Sequence, residues 1–145
     1  MRGMRRANAG VTLMELMIVM VVIGMLTAIA VPSYRSYVLR ANRADAKTGL
    51  MSYAGTLERC FTRDNVYNGA SCNALGLPVT VPSGNYQIAV DAANGGIAAA
   101  TYALKAVPLA GQTKDTQCGT FTLDDKNTRG VSGTLNASPQ DCWGR

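Results

Sequence analysis

The chain is 145 residues long, 6% aromatic and holds 15 glycines, so it can build one modest domain whose core leans on alanine, valine, leucine and methionine. It has no histidine, which removes the commonest general base and the commonest metal ligand. The formal charge of +5 is front-loaded: Arg2, Arg5 and Arg6 precede an apolar run, and the rest carries 11 basic against 9 acidic residues, too even a balance to argue for a nucleic-acid partner.

Residues 11–31 form that run, broken only by Thr12, Glu15, Gly24 and Thr27. As a helix it spans roughly 30 Å, the thickness of a bilayer's hydrocarbon core. Three arginines ahead of it, with no acid among residues 1–10, predict a cytoplasmic N-terminus and export of the remainder. Three readings compete. A secretory signal would be cut at Ala28-Ile29-Ala30, an uncleaved anchor would not be cut at all, and a short leader would be cut before the run. Glu15 separates them, because a carboxylate at mid-membrane costs on the order of 2.5–3.5 kcal/mol and a secretory segment gains nothing from it. Either Glu15 reaches headgroups at the membrane edge, or it needs a cation. Cleavage after Gly10 would create one, the α-amine of Val11, on its own chain or on a neighbouring copy.

The stretch Gly10-Val11-Thr12-Leu13-Met14-Glu15-Leu16-Met17-Ile18-Val19 resembles the processing motif of the type IV pilin family, and the likeness continues through Gly24 to Pro32-Ser33-Tyr34. The resemblance implies a leader (1–10) removed by prepilin peptidase after Gly10, N-methylation of Val11, and a role for Glu15 in subunit docking. It implies a single-pass helix (11–32) held in the inner membrane before assembly at an inner-membrane platform, then packed with other pilin subunits in a cell-surface filament. The family usually has phenylalanine directly after the cut, where this chain has the smaller Val11. Gly24 and Pro32 weaken the helix between them, glycine by about 1 kcal/mol over alanine and proline by removing an N–H. In the family this stretch loses helical hydrogen bonds on assembly.

Beyond Pro32, the three- and four-residue steps of Tyr34, Tyr37, Val38, Ala41, Ala44, Thr48 and Met51 predict a buried helical stripe that Leu50, Leu57 and Phe61 continue with some drift, with Arg35, Arg40, Arg43 and Lys47 on a solvated basic face. One helix over about residues 12–60 is expected, its last turns weakened by Gly49 and Gly55. Residues 61–85 read as a connecting loop. Strands follow at residues 86–90, 97–107 and 120–123, with a short fourth at 129–132 and turns at Asn94-Gly95-Gly96 and 124–127. The fold class is therefore α+β, a long helix on a small antiparallel sheet of three or four strands, within a head domain over residues 33–145.

Four cysteines allow three pairings; none forms the paired short spacing of a zinc site, and the sequential pairing Cys60–Cys72 and Cys118–Cys142 is expected in an oxidising compartment. The two-cysteine tail and Asp141-Cys142-Trp143 resemble PilE-like minor pilins. A structural subunit, minor rather than major, is expected to support adhesion, twitching or DNA uptake. A type II secretion pseudopilin is the alternative, although such proteins usually use calcium where this chain has cysteines. A DNA-binding competence pilin would need more basic residues than Lys105, Lys114, Lys126 and Arg129 provide. No G-x-S-x-G, phosphate loop or ligand cluster is present, so no catalytic residue, cofactor or metal is expected.

Overall fold

In a computed structural model of the chain, residues 11–133 and 138–144 are described. They divide into two compact units, one ending at Tyr37 and one beginning at Val38, and helix α1 (Leu13–Asp64) runs through both. Thr12 starts α1 by accepting the Glu15 N–H on its Oγ1 at 3.2 Å, as a helix N-cap does. Asn65, at φ 54, ends it in the left-handed conformation that asparagine tolerates at a helix terminus.

In the second unit α1 buries Arg43, Ala46, Leu50, Ala54, Leu57 and Cys60, again at steps of three and four; Leu50 and Leu57 are inside as expected, but the face that leads to them is rotated from the stripe expected over residues 34–51. Tyr34, Tyr37 and Met51 are exposed, as are Ala41, Ala44 and Thr48. The larger apolar area of Leu50 and Leu57 decides the rotation, and Cys60 must face its disulfide partner. Gly49 has a packing role: a Cβ there would lie 3.0 Å from both Ile88 Cδ1 and Val81 Cγ1, so its absence lets the helix close onto the sheet. Gly55 faces open space.

The sheet has five antiparallel strands in consecutive order: β1 (Val79–Thr80), β2 (Tyr86–Val90), β3 (Ala103–Pro108), β4 (Phe121–Asp124) and β5 (Arg129–Val131). The strand beyond the expected four is β1, two residues inside the stretch read as a loop, too short to show alternation. That stretch also holds the last turn of α1 and helix α2 (Ala70–Asn73). The long second strand expected over 97–107 is shorter; Ile97 pairs with Tyr102 alone across a reversal, and β3 starts at Ala103. Register Ile88↔Ala106↔Phe121 and Leu104↔Leu123 puts the alternate residues of three strands on one face, in one cluster with Leu50 and Leu57. Tyr86, Phe121 and Trp143 continue it edge to face, at 6.0 and 5.6 Å between ring centres.

The structure joins Cys60 to Cys72, tying the end of α1 to α2, and Cys118 to Cys142, tying the segment before β4 to helix α3 (Pro139–Trp143). The second closes a separation of 24 residues, for which chain entropy gives on the order of 3 kcal/mol. Helix α3 carries its own capping box, with Ser138 and Asp141 satisfying each other's backbone N–H. The Trp143 indole N–H donates to the Gly130 carbonyl at 3.0 Å, which fastens α3 to β5.

Candidate functional site

Every large apolar side chain from Val11 to Val31 is exposed, between 47% and 77%. The most apolar window of α1 has mean hydropathy 2.5 and is wholly unburied, which makes it the one helix among the described residues long and apolar enough to cross a membrane. So much contiguous apolar surface marks an interaction site. Thr27 inside it is satisfied locally: its hydroxyl donates to the carbonyls of Ile23 at 2.8 Å and Gly24 at 3.0 Å. The helix is continuous through Gly24 and Pro32, and a Cβ on Gly24 would meet nothing within 4 Å.

Glu15 lies in the first turn of α1, where the helix dipole favours a negative charge. The structure adds a partnership that the sequence reading missed. Thr12-Leu13-Met14-Glu15 has the spacing of a capping box, and the Thr12 oxygen holds the Glu15 N–H. Val11, 73% exposed, stands two residues ahead of the helix, and Gly10 lies outside the described residues.

The second unit contains a buried polar cluster that the sequence reading did not anticipate. Arg43, expected on a solvated face, is 8% exposed. Its Nε and Nη2 grip the two Asp115 oxygens at 2.7 and 2.8 Å, a bidentate fork, and Nη2 also donates to Gln117 Oε1 at 2.9 Å. Gln112 Nε2 donates to the Leu39 carbonyl, the Tyr86 hydroxyl and Asp115 Oδ2, while Asn42 Nδ2 donates to Gln112 Oε1. Burial, aided by the Asp115 charge, pushes the Tyr86 phenol up to about 12; donation from Gln112 and the nearby Arg43 pull the other way. Asp115 Oδ1 further accepts the Cys118 N–H at 3.3 Å, so the cluster carries α1 to the root of the second disulfide. Beside it, Arg40, Arg43 and Lys47 line a groove of about 410 Å³ with Gln140, Asp141 and Gly144.

The turn expected at residues 124–127 is present. Asp124 Oδ1 accepts the N–H groups of Lys126 at 3.0 Å and Thr128 at 2.7 Å, which makes it the organiser of a turn. Among the described residues no group of three or more acids or cysteines gathers as metal ligands would.

A family model described as "Type IV minor pilin ComP, DNA uptake sequence receptor" matches residues 32–122, and the prokaryotic N-terminal methylation motif matches residues 5–31. The chain belongs to the type IV pilin family. This pilin is similar to the type IV major fimbrial protein FimA of Dichelobacter nodosus, 36% identical over 65% of this chain and 62% of that one. It is also similar to the fimbrial protein EcpC of Eikenella corrodens, 34% identical over 57% and 53% respectively. In both cases the chain spans less than two thirds of the relative's length. Its fold is that of the Neisseria meningitidis non-core minor pilin PilV, with a TM-score of 0.52 at 22% identity over 72% of this chain and 96% of that one. Pilins of this kind are structural subunits and not enzymes.

Removing one partner of a buried ion pair strands the other charge, at about 3–5 kcal/mol. Asp115→Ala is therefore expected to cost this pilin that much in chemical denaturation under non-reducing conditions. A loss below about 1 kcal/mol would show that Arg43 finds water instead.

Proposed function

We propose that this pilin is a minor subunit of a type IV pilus, supporting adhesion, twitching or DNA uptake. Prepilin peptidase cuts after Gly10 and the new N-terminus, Val11, is methylated. The apolar half of α1 holds the subunit in the inner membrane with its N-terminus in the cytoplasm, until the assembly platform moves it into a filament among other pilins. The observation that carries this reading is the uncovered apolar surface of residues 11–31 with one carboxylate in its first turn. Covering such side chains is worth on the order of 1.5–3 kcal/mol each, so the segment drives self-association once it leaves lipid.

Magnitudes support an amine partner for Glu15. A helix N-terminus supplies 0.3–1 kcal/mol to an exposed carboxylate and up to about 2 kcal/mol to a partly buried one. Burial costs about 2.5–3.5 kcal/mol at the middle of a membrane and less near its border. An ion pair with the α-amine of Val11, in the same or a neighbouring subunit, offsets that cost where Glu15 is fully covered, as inside a filament. Gly24 is not required by any contact within the subunit, so its cost to the helix fits a role on assembly, when residues 24–32 give up helical hydrogen bonds.

Replacing Glu15 with valine tests the reading. The variant is expected in the membrane at the parent's level and missing from sheared filaments; incorporation equal to the parent's would show the carboxylate to be dispensable.

The match to the ComP model favours a second reading, in which the subunit captures DNA. Arg40, Arg43 and Lys47 together line the groove beside α3, with Arg43 also paired to Asp115. Double-stranded DNA binding that weakens steeply with salt, and weakens further in Arg40→Glu and Lys47→Glu, is expected on this reading. No retention of DNA even at low salt would remove it.

A further inference from the structure

Tyr34 and Tyr37 were expected in the core, yet they are 69% and 66% exposed, one turn apart on one face of α1. Nothing in the backbone marks where the apolar segment ends, because α1 continues as unbroken helix to Asp64. The limits of a membrane span must then come from side chains. Leu13 to Tyr34 measures about 32 Å along a helix, against about 30 Å of hydrocarbon. With Leu13 at one border, Tyr34 falls at the other, and Tyr37 lies about 4.5 Å beyond it, at headgroup depth. Ser36, in the same turn, donates its hydroxyl to the Ser33 carbonyl at 2.9 Å and so needs no water there. Arg35, between the tyrosines in sequence and exposed, is a guanidinium placed for a phosphodiester.

We infer that Tyr34, Arg35 and Tyr37 form an interfacial anchor for glycerophospholipid headgroups of the outward-facing leaflet, which sets the depth of the subunit before assembly. The inference rests on the membrane reading above and adds to it. Amphipathic aromatic rings settle at the headgroup level of a bilayer, and arginine pairs with lipid phosphate. The anchor matters most after processing. Removing residues 1–10 takes away Arg2, Arg5 and Arg6, the cations that held the cytoplasmic end. Depth is then controlled from the opposite end, and that control keeps Glu15 near the cytoplasmic border, where its charge is cheapest.

The test uses the leader-processed full chain in vesicles of phosphatidylethanolamine and phosphatidylglycerol carrying brominated acyl chains. Single substitutions Val22→Trp, Tyr34→Trp and Tyr37→Trp report depth as emission added to that of the native Trp143. Val22→Trp is expected to be quenched most by bromines at the chain ends, and Tyr34→Trp and Tyr37→Trp by bromines nearest the glycerol. In a Tyr34→Ala/Tyr37→Ala background, and in Arg35→Glu, the Val22→Trp probe is expected to move by about one helical turn, roughly 5 Å. An unmoved probe in both backgrounds would overturn the anchor while leaving the membrane reading intact. So would Tyr34→Trp and Tyr37→Trp probes beyond the reach of every bromine when Val22→Trp is quenched. A Val22→Trp probe that no bromine quenches would overturn the membrane reading itself, and the anchor with it.

Discussion

Everything in this pilin follows from a helix whose first half its own fold does not cover. Fifty-two residues of α1 carry two different jobs on one backbone. From Leu39 onward the helix is conventional, laying Leu50 and Leu57 onto a sheet. Before Tyr34 it offers apolar side chains on all sides and buries none of them. A surface of that kind calls for lipid or for other copies, and on the proposed reading both environments place a demand on Glu15, lighter at a membrane border than inside a filament. The carboxylate must find positive charge. The helix N-terminus provides a share of it, and on the proposed reading the remainder comes from the α-amine that cleavage frees on Val11, in the same or a neighbouring subunit.

The head solves a related problem by opposite means. With few aromatic residues it cannot rely on core volume alone, so it uses covalent ties and one buried ion pair. Cys60–Cys72 holds the helix end, Cys118–Cys142 holds the tail, and Arg43–Asp115 links the helix to the root of that tail. A buried pair of this sort is weak as a source of stability, since desolvation consumes most of the attraction. Its value is in specificity: a fork of two hydrogen bonds allows one position of the segment before Cys118, where an apolar contact would allow several.

Much of this was legible in the residues, and the failures have physical causes. The apolar run, its carboxylate and its glycine form a local pattern, and local patterns survive without tertiary information. The helix-on-sheet arrangement follows from periodicity, as does the alternation in β2, β3 and β4. The leucines of the buried stripe, Leu50 and Leu57, are where periodicity puts them, but the stripe over residues 34–51 is rotated, because tyrosine, alanine and threonine at three- and four-residue steps do not fix a face as leucine does. Stepping back from Cys60, a residue that must face inward if it is bridged, leads through Leu57, Ala54, Leu50 and Ala46 to Arg43. That path was available in the sequence. It was unattractive because it ends on an arginine, whose acceptability depends on Asp115, 72 residues away. The strand β1 was out of reach for a different reason. Two residues have no period, and only pairing with β2 makes them a strand.

The central claim is that a carboxylate in an apolar helix is made tolerable by a new amine, released when the leader is removed. Mass spectrometry of the N-terminal peptide from the subunit in sheared filaments tests this most directly. The account predicts N-methylated Val11 as the first residue. A filament subunit that still begins at Met1, or one trimmed to Val31 with the helix lost, would contradict it.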